Sequence, residues 1–402
     1  MLLDRFFPPD IRVEKEARAL IQAGHEVFLL SLMRGKNSVP TEEVIEGIRV
    51  LRIPYPHAFL KPAWNYLRLQ LMFIHPVWKK ALIHAVQRHR IEALHIHDLP
   101  LVKTGLYAAR KFNIPLIADL HENYPEAIKV WRRSWQARVI NLISPPWRWK
   151  RLERYCVHQA DTVITVVEEL RQHYIEDYEL PPQKIKLVMN LEDLEYFYSI
   201  PIDNAILKQY EKYFVVSYIG GFGHHRGIQT AIQAMPRVLK EIPNALLLLV
   251  GSGANEAALK ELAKKEGVEQ AVEFTGWQHF DLVPSYIAAS QICLIPYILS
   301  AQTNASAPHK LFQYMAMAKP VVVSSMDSLS RIIRETGAGL VYPAGDAEAL
   351  AQAVIKLYED DAIRVKLGQA GTKAVRQKYN WQRSSQQLIE IYRELEARQE
   401  SS

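Results

Sequence analysis

Short apolar runs recur along this chain, and nearly every one is followed by a helix-length stretch. In the first half they are "GHEVFLLSL" (24–32), "ALHIHDL" (93–99), "IPLIADLHE" (114–122), "DTVITVV" (161–167) and "KIKLVMN" (184–190). Each is apolar at consecutive rather than alternating positions, so both faces of the strand must be covered. Helical periodicity occupies 14–23, ahead of Gly24 as a C-cap, and 101–111. Strands buried on both faces and alternating with helices specify a parallel sheet between two helical layers. The opening "MLLDRFFPPD" leaves two or three residues for a first strand, which is therefore expected to be very short unless the natural chain begins upstream.

The pattern pauses over 191–211 and restarts. "FVVSYIGGF" (214–222), "ALLLLVG" (245–251), "AVEFTGW" (271–277), "ICLIPY" (292–297), "PVVVSS" (320–325) and "AGLVYP" (338–343) form a second series. An amphipathic helix over 379–398 closes the chain. Two doubly wound, Rossmann-like α/β domains follow, 1–195 with 380–402 packing back on it, and 196–379. The 402 residues suit two cores better than one. In open α/β sheets ligands sit beyond the carboxyl ends of the strands, which makes a cleft between the domains the expected site.

Composition excludes several classes. Apolar residues make up 49% and charged residues 23%, as in a soluble globular protein. Cys156 and Cys293 form neither a metal spacing nor a redox pair, which fits a reducing cytoplasm. No apolar run reaches the roughly 18 residues of a spanning helix, and no signal-peptide pattern opens the chain. A metal is not indicated, since there is no His-Glu-x-x-His and no cysteine pair. No G-x-S-x-G elbow suggests a serine hydrolase.

The net charge of +6 is unevenly spread. Residues 1–160 carry 25 Lys and Arg against 14 Asp and Glu, a net of +11; the remainder carries −5. Six of the eight tryptophans share that basic part: Trp64, Trp78, Trp131, Trp135, Trp147 and Trp149. The segments 59–90 and 131–155 interleave these with Arg132, Arg133, Arg148, Lys150 and Arg151. Leu69, Met72, Ile140 and Leu142 are read as core, whereas the basic, tryptophan-rich remainder is the pattern of an anionic membrane surface contact. No nucleic-acid partner is expected, because no helix-turn-helix, ribonucleoprotein or zinc signature is present.

The second half holds the clearest ligand motifs. "GGFGHHRG" (220–227) follows a strand and opens a helix; Gly220, Gly221 and Gly223 let backbone amides approach an anion, with Arg226 as countercharge. "GSGANE" (251–256) reads as an ordinary strand-to-helix turn. In "SAPHKLFQYMAMAKPVVVS" (306–324), Pro308 marks a helix start, where the amides of Ser306 and Ala307 and the ammonium of Lys310 would meet the same charge. In the first half, His97, Asp98, His121 and Glu122 lie at the ends of neighbouring strands. Asp10 and Arg12 lie in the first strand–helix loop, where Asp10 is as readily an N-cap as a substrate contact.

Taken together, "PPDIRVEKEARALIQAGHEV", "HIHDLPLVKTGLYAARKFNIPLIADLHENYPE", "GGFGHHRGIQTAIQAM", "VEFTGW", "KLFQYMAMAKPVVVS" and "YNWQRSSQQLIEIYREL" resemble the retaining GT-B glycosyltransferases of family 4 along essentially the whole chain. The resemblance implies a nucleotide diphosphate sugar as donor, no cofactor and no metal, and a final helix that crosses back to the first domain. It places the diphosphate at Gly220–Gly223, Arg226 and Lys310, and the base near Gly276 and Trp277. Ser306, Ala307, Leu311 and Gln313 fall on the donor side. His121 matches a histidine beside the donor sugar. Asp10, Arg12, His97, Asp98 and Glu122 fall on the acceptor side. It further implies a cytoplasmic enzyme, peripheral to the inner face of the membrane, with a glycan or lipid-linked acceptor.

Two departures stand out. The family's pair of glutamates eight positions apart falls here on Ala305 and Gln313, and the arginine usual after the first glycine is replaced by Gly221. An amide can still exchange hydrogen bonds with ribose hydroxyls. Ala305 and Gln313 keep open a degenerate relative that binds a sugar nucleotide or a partner without turnover; a GT-B epimerase of nucleotide sugars is a third reading.

Overall fold

The computed structural model describes residues 1–33, 39–54, 69, 71–131, 141–142, 144–304 and 306–400. Trp64, Arg132, Arg133, Trp135, Ile140 and Ala305 lie outside the described residues, as does the side chain of Trp131. The chain forms two compact units, 1–189 with 384–402, and 190–383.

The first unit holds β1 (Leu2–Phe6), α1 (Ile11–Gln22), β2 (Phe28–Leu32), β3 (Glu42–Ile45), β4 (Ile48–Ile53), α2 (Pro76–His89), β5 (Leu94–His97), α3 (Leu99–Phe112), β6 (Leu116–Leu120), α4 (Tyr124–Trp131), α5 (Pro146–Gln159), β7 (Thr162–Thr165), α6 (Glu168–Tyr178) and β8 (Ile185–Leu187). Its sheet runs β3-β4-β2-β1-β5-β6-β7-β8. All pairs are parallel except β3–β4, an antiparallel hairpin at the edge. The apolar-run pattern misses that hairpin, because β3 alternates exposed and half-buried residues as an edge strand does. β1 has five residues rather than two or three: Leu2 and Leu3 are buried, while Arg5 and Phe6 carry the strand out to solvent.

The second unit holds α7 (Leu194–Ser199), α8 (Asn204–Tyr210), β9 (Phe214–Ile219), α9 (Ile228–Glu241), β10 (Ala245–Val250), α10 (Glu256–Lys265), β11 (Val272–Gly276), α11 (Val283–Ala289), β12 (Ile292–Ile295), α12 (Ala301–Asn304), α13 (His309–Ala316), β13 (Val321–Ser324), α14 (Asp327–Thr336), β14 (Gly339–Tyr342), α15 (Ala347–Glu359) and α16 (Asp361–Gln377). Its six strands are all parallel, in the order β11-β10-β9-β12-β13-β14. The central strands β9, β10, β12 and β13 are buried at every position. The edge strands β11 and β14 are half-buried, so burial on both faces holds for the centre of the sheet and not its rims. The last helix, α17 (Trp381–Glu400), starts in this unit and belongs to the first from Ser384 onward. There Ser384 Oγ donates to the Met189 carbonyl, Tyr392 Oη meets His95 Nδ1 at 2.9 Å, and Leu388 and Ile391 are buried.

In each sheet the chain reverses its direction of growth beside the first strand: between β1 and β5 in one unit, between β9 and β12 in the other. Loops diverge at such a switch point and leave room beyond the strand ends for a ligand. The residues singled out in the sequence collect at these two places.

Candidate functional site

In the second unit the turn after β9 is built around glycines. Gly220 has φ +135°, and a Cβ there would stand 2.4 Å from Lys310 Nζ. Glycine thus provides both the backbone conformation and the space for the ammonium group. Gly227, with φ +66°, caps α9, and a Cβ on it would overlap the Pro296 carbonyl. That contact presses the loop after β9 against the loop after β12. Gly253 packs its backbone against that of Phe222 (a Cβ would lie 2.7 Å from the Phe222 amide nitrogen), and "GSGANE" is the plain strand-to-helix turn expected.

Two cations converge on this glycine-built pocket. Arg226, in the short turn His224–Arg226, hydrogen-bonds Tyr297 Oη and lays its guanidinium 4.7 Å from that ring's centroid. Lys310 Nζ lies 3.7 Å from the Tyr218 ring centroid and 5.9 Å from that of Tyr297. Both cations are half-buried, and among the described residues neither is paired with a carboxylate. Burial, followed by the neighbouring charge of Arg226, lowers the Lys310 pKa well below its ordinary value. The same two causes, with His224 and Lys310 adding to the repulsion, bring His225 to about 4. Aromatic faces compensate a cation only in part. Among the described residues no carboxylate offsets Arg226 and Lys310, an arrangement suited to a polyanion.

The start of α13 differs in detail from the sequence reading. Pro308 is the N-cap and the helix begins at His309. The Ser306 amide is not available to a ligand, because it donates to the Thr303 carbonyl and the Ser306 hydroxyl donates to the same oxygen. Ala307 stays in the loop, half-buried, while Leu311 is fully buried and serves the core. Gln313 is 6% exposed, and its amide nitrogen donates to Glu192 Oε2 at 2.7 Å. His309 Nδ1, one turn earlier, lies 3.3 Å from the same oxygen. The amide that looked available for a ribose is thus held by a buried carboxylate. Glu192 is the residue the sequence reading missed, because no periodicity indicates which loop carboxylate will meet a given helix face. Gly221 and Gly223 lie in the turn before Arg226, whose amide donates to the Gly223 carbonyl. Gly276 ends β11 with φ +73°, and Trp277 beyond it is 72% exposed.

The first unit gathers its polar residues into a denser centre. Asp119, fully buried at the end of β6, receives Arg12 at 2.9 Å on Oδ1, and His121 Nε2 at 2.7 Å and His97 Nδ1 at 3.0 Å on Oδ2. Arg12 also reaches Glu16 Oε1 at 2.8 Å and the Val188 carbonyl at 3.1 Å. Burial alone would raise the Asp119 pKa, but Arg12 and His121 hold it well below the carboxylate range. Burial alone would lower His121, but Asp119 and Asp98 raise it to about 9. Glu16, buried beside a second carboxylate, is pushed up to about 8 despite Arg12. His95 and His97 are driven down, chiefly by burial.

Asp98 accepts from Arg5 at 3.1 Å across the switch point and faces His121 Nδ1 at 3.3 Å. It does so from φ 64° and ψ 149°, a backbone region that non-glycine residues avoid and that is typically retained where function requires it. Asp119 on one ring nitrogen and Asp98 on the other favour the protonated ring of His121, while Arg12 Nε also lies 2.8 Å from its Nε2.

Several expectations for this unit change. Arg12 and His97, placed on the acceptor side by the sequence, are 6% and 0% exposed and are bound within the network, so neither offers a surface to an acceptor. Asp10 is the N-cap of α1, accepting from the Val13 amide, and its own amide donates to Glu14. Glu122 is half-buried just beyond β6. Trp149 is fully buried and donates to Ser144 Oγ, and Trp78 is 4% exposed, so both are core rather than surface. Met72 and Leu142, read as core, are 59% and 84% exposed.

Comparison with known proteins meets this geometry at both centres. Residues 199–374 match the family model "Glycosyl transferases group 1", and residues 11–196 match "Glycosyltransferase Family 4". The chain belongs to the GT-B glycosyltransferases of group 1, family 4. It is 24% identical over 391 residues to an uncharacterised glycosyltransferase, MJ1607, of Methanocaldococcus jannaschii, covering 94% of this chain and 92% of that one. It is also 24% identical over 378 residues to the phosphatidyl-myo-inositol mannosyltransferase of Mycobacterium leprae, covering 94% and 90%. Among solved structures it is similar to the sucrose-phosphate synthase of Thermosynechococcus elongatus (TM-score 0.74, 22% identity, 96% and 93% covered). It is likewise similar to Anabaena HepE in complex with UDP (TM-score 0.73, 16% identity, 98% and 99% covered). The two parallel sheets are those of the GT-B fold.

Proposed function

We propose that this glycosyltransferase moves a sugar from a nucleotide diphosphate sugar to a glycan or lipid-linked acceptor with retention of anomeric configuration, in surface polysaccharide or glycolipid assembly. The observation that carries the reading is the pair Arg226 and Lys310, two cations facing tyrosine rings across a glycine-built turn. Departure of a nucleoside diphosphate concentrates negative charge on the leaving phosphate. Fixed cations in a partly dry pocket stabilise that charge more in the transition state than in the ground state. In this reading they fill the role a divalent metal plays elsewhere, and the transfer step needs neither metal nor cofactor. His121, whose pKa Asp119 and Asp98 raise, is assigned a positioning and electrostatic role in this reading. Incubation with a panel of nucleotide sugars and membrane extract, followed by mass spectrometry, tests the proposal. A transferred sugar with retained configuration supports it, and inversion or a free epimer contradicts it.

Gln313 favours a second reading, in which the protein binds a sugar nucleotide or a partner without turnover, because its amide is occupied by Glu192. Nucleotide binding without transfer or hydrolysis of any donor would decide for that reading.

The acceptor side is proposed to work at an anionic membrane surface on the cytoplasmic face. Among the described residues no helix is long and apolar enough to cross a membrane. What supports surface contact is the set Leu71, Met72, Leu142 and Trp147, all 47% or more exposed. Cations accompany them: Arg148 donates to the Leu71 carbonyl, and Arg151 lies 5.1 Å from the Trp147 ring centroid. Interfacial binding combines such apolar insertion with attraction to anionic headgroups. Flotation with anionic liposomes is expected to weaken with salt and with serine at Arg132, Arg133, Arg148 and Lys150. Equal binding to neutral liposomes would count against this surface.

A further inference from the structure

The buried centre of the first unit holds more lone pairs than its own donors satisfy. Glu16 comes from α1, His95 and His97 from β5, and Asp119 from β6, and one ligand atom of each lies within 4.8 Å of all the others. All four side chains are buried. Glu16 Oε2 and the Nε2 atoms of His95 and His97 have no hydrogen-bond partner, while Glu16 Oε1 is taken by Arg12. Unsatisfied polar atoms at this depth are costly, and Glu16 Oε2 and His95 Nε2, 3.6 Å apart with no proton donor between them, call for a ligand.

We propose that Glu16, His95, His97 and Asp119 form a structural site for a divalent transition-metal ion, with zinc the best match. The spacing fits. Zinc bonds of roughly 2.0–2.1 Å in tetrahedral geometry place neighbouring ligand atoms about 3.3 Å apart. Here His95 Nε2 lies 3.6 Å from Glu16 Oε2 and 3.5 Å from Asp119 Oδ2, and His97 Nδ1 lies 3.0 Å from Asp119 Oδ2.

The surrounding groups fit as well. A ligating histidine commonly engages its other ring nitrogen, and a ligating carboxylate its other oxygen. His95 Nδ1 is 2.9 Å from Tyr392 Oη. One Arg12 nitrogen lies 2.8 Å from Glu16 Oε1 and 2.9 Å from Asp119 Oδ1, which leaves Glu16 Oε2 turned toward His95 Nε2, while Asp119 Oδ2 is shared among His95, His97 and His121. With four protein ligands the site is closed, the structural rather than the catalytic pattern. It would fasten α1 to the centre of the sheet, and its role is separate from the transfer step.

The test uses tag-free, full-length protein purified without chelator. Elemental analysis is expected to find about one zinc per chain. Chelator treatment should lower Tm and added Zn²⁺ restore it, while X-ray absorption should show nitrogen and oxygen ligands only. Glu16→Gln and His95→Gln are each expected to reduce the bound zinc at least fivefold. If His95→Gln fails to fold, the absorption spectrum of the native protein decides. Less than about a tenth of an equivalent after growth and refolding with Zn²⁺, with Tm indifferent to zinc and chelator, would overturn the site. So would zinc retained in full by Glu16→Gln, or sulfur among the ligands.

Discussion

Both switch points of this protein hold buried or half-buried arginines, and the two are set up in opposite ways. At β1/β5, Arg12 is enclosed by Asp119 and Glu16 in a centre rich in acceptors. At β9/β12, Arg226 and Lys310 face tyrosine rings and, among the described residues, no carboxylate. The first centre has lone pairs to spare and the second has positive charge to spare. The first arrangement is the basis of the proposed cation site, and the second of the proposed diphosphate site. A charged residue near an active site thus reveals little until its partners are counted.

The sharpest break of this comparison is to remove one cation from each centre. Arg12→Met leaves buried carboxylates uncompensated and is expected to cost about 3–5 kcal/mol of stability, read by urea denaturation. Lys310→Met removes a cation that, among the described residues, faces tyrosine rings and no carboxylate. Its Tm is expected to hold or rise slightly, while affinity for UDP, read by calorimetry, falls roughly 30- to 100-fold, about 2–3 kcal/mol. Equal stability losses in both variants would erase the contrast.

A buried carboxyl that accepts from two tyrosine hydroxyls sharpens the comparison from the acidic side. Glu153 accepts from Tyr174 at 3.1 Å and Tyr178 at 2.7 Å, and burial pushes its pKa up to about 7. In the unfolded chain it ionises near 4.5. Between those values the folded state keeps a proton that the unfolded state has lost. Its contribution is therefore complete below pH 4.5, declines as pH rises to about 7 and is flat above. The fall is on the order of 3 to 4 kcal/mol. Glu153→Gln is expected to flatten that slope in pH-dependent denaturation, and an unchanged slope would assign it elsewhere.

The smallest effect concerns the amide of α13. Gln313→Glu sets a carboxylate where the Glu192 oxygen now lies 2.7 Å from a donor. Stability is expected to drop by about 1–2 kcal/mol, and the double variant Gln313→Glu/Glu192→Gln to recover most of it, because the pair is then again one acid and one amide. If the exchange recovers nothing, Gln313 and Glu192 are not coupled.

The chain itself settled the architecture. Unbroken apolar runs alternating with helices admit little except parallel sheets between helical layers, and "GGFGHHRG" could be read as an anion turn because glycine and a following cation act locally. The β3–β4 hairpin was not legible, since an edge strand needs no double-faced apolar run. Tertiary structure alone decided which polar residues are satisfied. Glu16, His95, His97 and Asp119 come from three elements up to 103 positions apart, and only the sheet order brings β5 and β6 beneath α1. Glu192 and Gln313 are 121 positions apart and meet in the same way. Strand and turn propensities are properties of neighbours in sequence, whereas satisfaction of a buried charge is a property of neighbours in space.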